Sequence, residues 1–174
     1  MIIAVSGLAG SGKNTFGMAL AKALGYRVVC PTFKDLAAAE GISLLEFQER
    51  AKKDPEIDRK FDNALKKEAS SGNCVVTTWL GPWMIDADYR IWVMVPEKIR
   101  AERVAARDGI SFRKALEHIR KRDSGNRERY LKLYGIDISN IEGFDLALNA
   151  GSYTPEEMVK VALEGLKQKG RGKR

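Results

Sequence analysis

This chain predicts an α/β fold: a three-layer α/β/α sandwich in which helices cover both faces of a five-stranded parallel sheet. Three observations carry the prediction. Short apolar runs alternate with segments of helical periodicity along the whole chain. Strands that alternate with helices in this way lie parallel, in a sheet covered on both faces. A glycine-rich loop joins the first run directly to the first helix, the junction that open parallel sheets use to bind phosphate.

The elements follow in order. Met1–Ser6 is an apolar run of buried-strand type. After Thr15, Phe16, Ala19, Leu20, Ala23 and Leu24 recur at helical spacing, and Gly25 stops the helix. Tyr26–Cys30 is a second strand. Pro31-Thr32 opens a loop, and Phe33–Ala39 reads as a helix. Ser43, with Glu46 three positions on, caps another helix ahead of Phe47. Asp54-Pro55 opens a longer helix through Ala69, with Ile57, Phe61, Ala64 and Leu65 as its apolar stripe. Cys74–Trp79 and Tyr89–Val95 are the third and fourth strands. Pro96 starts a helix to Ala106, closed by Gly109. Ser111–Arg122 and Arg127–Leu133 read as two helices around the polar break Asp123-Ser124-Gly125-Asn126. Asp145–Leu148 is the fifth strand. Thr154-Pro-Glu-Glu is a capping box that opens the last helix, which runs to about Leu166.

The loop Gly7-Leu8-Ala9-Gly10-Ser11-Gly12-Lys13-Asn14-Thr15 has the order strand, glycines, lysine, helix that defines a phosphate-binding P-loop. Its glycines let the backbone come close to a phosphate chain, so that successive N–H groups form an anion nest. The helix that follows presents its positive end to the same phosphates. Lys13 adds a mobile charge for the β- and γ-phosphates. All nine residues are expected to bind ATP. Asn14 follows the lysine, and the hydroxyl expected to meet a metal comes one residue later, at Thr15.

The 174 residues, with 44% hydrophobic and 30% charged side chains, suit one domain with a substantial core. No apolar run reaches the ~20 residues needed to span a bilayer, and no signal peptide is evident, so a cytoplasmic protein is expected. Cys30 and Cys74 fit no disulfide or metal spacing and are expected as buried thiols. The single histidine, His118, excludes histidine-based metal chemistry and belongs on a basic helix surface. The net charge of +7 fits a cleft that holds nucleotide phosphates. The tail 167–174, with five basic residues and two glycines, is expected to be disordered. Nonspecific RNA contact through it is the lesser alternative.

Between Arg100 and Arg129 lie eight arginines. Arg103 and Arg107 share a helix face at i, i+4. Arg122 and Arg127 flank the polar break. An arginine-rich break of this kind makes a lid, about 108–130, that closes over a transferring phosphoryl group and excludes water.

At this point the residues match a family. The chain resembles the archaeal-type cytidylate kinases, within the nucleoside monophosphate kinases. The resemblance rests on Gly7–Thr15, Phe33-Lys-Asp-Leu-Ala37, Gly41–Phe47, Asp54-Pro-Glu-Ile-Asp-Arg59, Pro96–Arg107, Arg122–Arg129, Tyr134-Gly-Ile-Asp-Ile138 and Phe144-Asp-Leu-Ala-Leu-Asn149. It covers about residues 1–165. It implies a P-loop NTPase kinase domain over 1–166, with a helical monophosphate-binding insertion at about 31–70 and the arginine lid. It implies transfer of the ATP γ-phosphoryl group to CMP or dCMP with Mg²⁺. It also implies that Lys13 and the arginines 103, 107, 122 and 127 hold the transferring group.

The departures from the family all fall on the acceptor side. The family typically has Gly-Asp-x-Phe-Arg after strand two, where this chain has Cys30-Pro-Thr-Phe-Lys34. It typically has Glu-Gly-Arg ending strand three, where this chain has Thr77-Thr78-Trp79. A bidentate arginine clamp is therefore missing, and Lys34 replaces it only in part. The strand-three carboxylate is missing too, which leaves Mg²⁺ to phosphates, water and Thr15. Phe33, Lys34, Thr78, Trp79 and Trp83 are the expected acceptor residues, the two tryptophans either stacking on a base or packing in the core. Two other readings stay open. One is a related kinase with a different acceptor, such as another nucleotide, a nucleoside or a small alcohol. The other is a nucleotide-binding protein with weak ATPase activity and RNA association. A monomer acting on ATP and a nucleoside monophosphate, away from membranes, is the leading expectation.

Overall fold

β1 (Ile2–Ser6) is buried from Ile3 onward, and a strand apolar on both faces takes the middle of a parallel sheet. In the computed structural model the sheet order is β2-β3-β1-β4-β5, all parallel. β2 is Arg27–Val29, β3 Cys74–Thr77, β4 Tyr89–Met94 and β5 Leu146–Asn149. The structure describes residues 1–171, with the backbone alone at positions 34, 44, 45, 48, 52 and 171.

The strand period decides the layers. Ile3 and Val5 point to one face, with Val75, Ile91 and Val93. There they meet Phe16 and Leu20 of α1 (Lys13–Leu24) and Met158 and Ala162 of α8 (Pro155–Arg171). Ala4 and Val76 point the other way, onto Leu65 and Ala69 of α4 (Pro55–Ala69). α2 (Phe33–Ala39) and α3 (Leu44–Lys53) precede α4, and the short α5 (Gly81–Met84) follows β3. α6 (Glu97–Asp108) and α7 (Phe112–Tyr134) close over the P-loop, where Ala9, Ala101, Val104, Ala115 and Ile119 form a small core of their own.

Several helix ends lie where their caps put them. Thr32 and Asp35 form a reciprocal capping box on α2. Ser43 caps α3, Asp54 caps α4, and Thr154 exchanges bonds with Glu157 at the start of α8.

Three sequence expectations are corrected. The polar break Asp123–Asn126 is no break: α7 runs unbroken from Phe112 to Tyr134. Glycine in a helix costs only about 1 kcal/mol, and Asp123 is anchored by tertiary bonds that hold this turn in place. The segment expected as a lid, 108–130, is therefore the α6–α7 junction and most of one continuous helix, α7. The last helix does not stop near Leu166 but continues to Arg171, so residues 167–171 of the expected disordered tail are helical, and Lys169 pairs with Asp145. The rest of that tail, 172–174, lies outside the described residues. The buried face of α4 is also not the one expected. Asp58, Asp62, Leu65 and Ala69 are buried, while Ala64 is exposed.

Candidate functional site

β1 lies at the point where the sheet order reverses, with β3 on one side and β4 on the other. Open α/β sheets bind ligands in the crevice beyond the strand ends at that point. The P-loop leaves β1 there. Gly10 and Gly12 take φ of 76° and 83°, left-handed values that suit glycine. Gly7 lies so close to the Val93 carbonyl that a Cβ would collide with it.

The loop is held from behind by one buried ion pair. Arg100 of α6, 5% exposed, donates from Nη1 to the Ala9 carbonyl at 3.0 Å and to Asp123 Oδ2 at 2.6 Å. Asp123 Oδ1 in turn accepts the Ala9 N–H at 3.0 Å. One Arg–Asp pair thus takes both polar groups of the Ala9 peptide and ties the P-loop to α6 and α7. Arg103 Nη2 reaches the Ala150 carbonyl at 2.5 Å, and its Nη1 reaches the Ser11 carbonyl at 3.4 Å.

Lys13 projects into a cavity of ≈ 280 Å³ between α1, the β2 and β3 ends, α4 and α7. Its Nζ lies 4.9 Å from the centre of the Trp79 ring, a cation–π contact. Burial, followed by the charge of Arg122, lowers its pKa from 10.5 to about 8, and Arg107 adds to the effect. An ammonium held this way has much to gain from a polyphosphate. Arg122, exposed at the cavity edge, has no carboxylate partner among the described residues.

The far wall is acidic and aromatic. Arg129 grips both oxygens of Asp58 and lies 4.9 Å from the Phe33 ring. Tyr134 donates to Asp62 Oδ2 at 2.6 Å. Burial raises the pKa of both carboxyls, against the opposing pull of Arg129 on Asp58 and of the Tyr134 hydroxyl on Asp62. Phe33 and Phe61 meet edge to face at 5.3 Å and line the same cavity.

The structure brings together Lys13, Asn14, Phe33, Thr78, Trp79 and Arg122 at this cavity. Thr78 Oγ1 is occupied by the Gly81 N–H at 2.9 Å. Trp83 and Arg127 are not brought there, and Arg103, Arg107 and Thr15 also lie outside its lining. Trp83, half-buried, packs 5.0 Å from Phe144 and 6.3 Å from Trp92, an aromatic cluster outside the cavity lining. Arg127 projects from the other side of α7 and forms two bonds to Asp137, at 3.0 and 2.8 Å, which puts it away from Lys13. Arg107 is paired with Asp108 near the donor side. The Lys34 side chain lies outside the described residues. Cys30, expected as a buried thiol, is half-buried in the cavity wall, where its Sγ donates to the Thr77 carbonyl at 3.4 Å.

Sequence reasoning missed Asp58, Asp62, Arg129 and Tyr130 as wall residues. A signal was there: carboxylates at 58 and 62 stand in register with Leu65 and Ala69 at helical spacing, which marks a buried face that carries charge.

Among the described residues at the P-loop end of the site, hydroxyls are what is offered to a metal. Thr15 is exposed at the first turn of α1, and Thr77 Oγ1 is buried without a hydrogen-bond partner. No cluster of three His, Cys, Asp or Glu side chains occurs among the described residues. That set fits Mg²⁺ held mainly by phosphates and waters.

A P-loop with an inward lysine, at the switch point of a five-stranded parallel sheet, defines a P-loop phosphotransferase. Solved structures agree on the fold: a shikimate kinase from Bacteroides thetaiotaomicron superposes with a TM-score of 0.64 at 18% identity, over 96% of this chain and 98% of that one. An uncharacterised protein from Eubacterium ventriosum reaches 0.70 at 17% identity, over 94% and 96%. The sequence places the chain more narrowly. A sequence model of the Cytidylate kinase-like family matches residues 2–152, and the chain belongs to that family. It is 42% identical to a cytidylate kinase of Pyrococcus horikoshii over 172 residues, 95% of this chain and 90% of the relative. It is equally identical to one of Ignicoccus hospitalis over 163 residues, 91% and 95%.

Proposed function

We propose that the protein transfers the γ-phosphoryl group of ATP to CMP or dCMP. The observation that carries the reading is Lys13, which joins a P-loop to a partly enclosed cavity of ≈ 280 Å³ in a chain of this family. The backbone N–H groups of residues 10–15 cradle the donor phosphates. Arg103 and Arg107 lie on the donor side of the loop. Lys13 and Arg122 stand between loop and cavity, where charge gathers on the transferring group. Such transfer needs positioning and electrostatic stabilisation and no covalent intermediate. The cavity walls Phe33, Trp79 and Tyr130 exclude water, so that ATP is not hydrolysed. Thr15 is the residue that would hold Mg²⁺, which would supply charge neutralisation at the nucleotide phosphates when bound. The protein works as a cytoplasmic monomer, and no helix among the described residues is long and apolar enough to cross a membrane.

A different acceptor is the second reading, and one observation favours it. With Thr77, Thr78 and Trp79 ending β3, that strand offers no cation for an acceptor phosphate, and the cations described in the cavity are Lys13, Arg122 and the Asp58-bound Arg129. The test is ADP release from ATP–Mg²⁺ with CMP, dCMP, UMP, AMP, GMP and shikimate offered separately, the Lys13→Ala protein serving as blank. Release that depends on CMP or dCMP supports the first reading. Release with another acceptor supports the second. Slow release independent of any acceptor leaves a nucleotide-binding protein with weak ATPase activity.

A further inference from the structure

The cavity holds two buried carboxylates that differ in one respect. Both oxygens of Asp58 are occupied by Arg129. Asp62, 5% exposed, uses only Oδ2, which accepts from the Tyr134 hydroxyl at 2.6 Å. Its Oδ1 accepts no hydrogen bond among the described residues, although Asp62 lines the cavity. A carboxylate oxygen that faces a cavity from a mostly buried side chain gains from a donor that a ligand brings. The Tyr134 phenol supplies the donor on Oδ2 and so fixes the rotation of the carboxylate. Phe33 and Phe61 beside it provide apolar surface for a ring.

We propose that Asp62 selects the acceptor base, its Oδ1 taking a hydrogen bond from an exocyclic amine, with Tyr134 as the positioning residue that aims it. The proposal rests on the reading of this cavity as the acceptor site. Cytosine carries an amino group on its pairing edge where uracil carries an oxo group. The amine completes the hydrogen bonding of Asp62. The oxo group sets lone pairs against a buried negative charge, so uracil is rejected by repulsion and not merely by a lost contact. Sites built around a buried polar group discriminate strongly because the wrong ligand leaves that group unpaired.

The test measures kcat/KM for CMP and for UMP with ATP–Mg²⁺ in the wild-type protein and in the Asp62→Asn and Tyr134→Phe variants. An asparagine at this position can turn an N–H toward an oxo group. The CMP-to-UMP preference should therefore fall at least tenfold in Asp62→Asn, with UMP turnover gained and KM for ATP unchanged. Tyr134→Phe should lower the preference by a smaller factor, again without moving KM for ATP. If Asp62→Asn keeps the wild-type preference, the proposal is overturned. Should that variant fail to fold, an unchanged preference in Tyr134→Phe overturns it instead. If the wild-type protein turns over neither nucleotide, the acceptor reading falls and the proposal with it, an outcome distinct from an unaltered preference in an active enzyme.

Discussion

Lys13 is where the chemistry of the site and its acid–base behaviour meet. Burial lowers its pKa from 10.5 to about 8 in the free protein. A lysine depressed in the folded state binds its proton more weakly there than in the unfolded chain. Its penalty on folding is therefore largest below about pH 8 and fades as pH rises toward 10.5. Polyphosphate beside the ammonium restores the higher pKa. ATP binding at about pH 8.5 should consequently take up protons, which calorimetry in buffers of different ionisation enthalpy will measure. Lys13→Arg should abolish the uptake. The Arg100–Asp123 pair makes a second prediction at this scale. Removing one partner of a buried pair costs about 3–5 kcal/mol, so Asp123→Ala should lower the melting temperature by roughly 5–20 °C at ~2–4 °C per kcal/mol. It should also weaken ATP binding, because Ala9 loses its anchor. Among single residues, the P-loop was legible because close approach and positive φ at Gly10 and Gly12 demand glycine. Trp79 and Trp83 were not separable, since the same residue type serves a cavity wall and a core.

At the scale of elements, α7 decides how the site is assembled. Its Arg122, Asn126, Arg129 and Tyr130 recur at helical spacing along the cavity, while Arg127 and Leu131 face another direction. An unbroken helix makes that division; a break at Gly125 would lose it. The sequence pointed to a break because Asp-Ser-Gly-Asn has turn chemistry, and the bonds that override it come from Ala9 and Arg100, far away in the chain. Beyond its chain neighbours and the adjoining turns of backbone, no described atom lies within 4 Å of a Cβ built on Gly125. Gly125→Ala should therefore stabilise the protein by about 0.5–1 kcal/mol, raising the melting temperature by roughly 1–4 °C, with kcat retained. A fall in kcat would mean that this turn must open during the cycle. The starts of α2, α3, α4 and α8 were readable because N-terminal caps are local. The buried face of α4 was not, because its carboxylates are compensated by Arg129 and Tyr134, 71 and 72 residues away.

For the molecule as a whole, the alternation of strands and helices announced a parallel sheet, but not its strand order, β2-β3-β1-β4-β5. What no local pattern contains is which far segments close one cavity, and here α1, α4, α7 and the ends of β2 and β3 do so. Ligand linkage should report on that closure. ATP–Mg²⁺ at 100 times its Kd should stabilise the folded state by about 2.7 kcal/mol, visible as a rise in melting temperature of roughly 5–10 °C. Chelating the metal should reduce that rise, and Lys13→Ala should remove most of it.

The central claim is a phosphoryl transfer to a cytidine monophosphate despite a rebuilt acceptor wall, and chromatography of the products tests it most directly. Incubated with ATP–Mg²⁺ and CMP, the wild-type protein should form CDP and ADP in equal amounts, and Lys13→Ala should slow this by about 10²–10³-fold, the size expected for losing one stabiliser of transition-state charge. ADP without CDP, at a rate indifferent to CMP, would contradict the account.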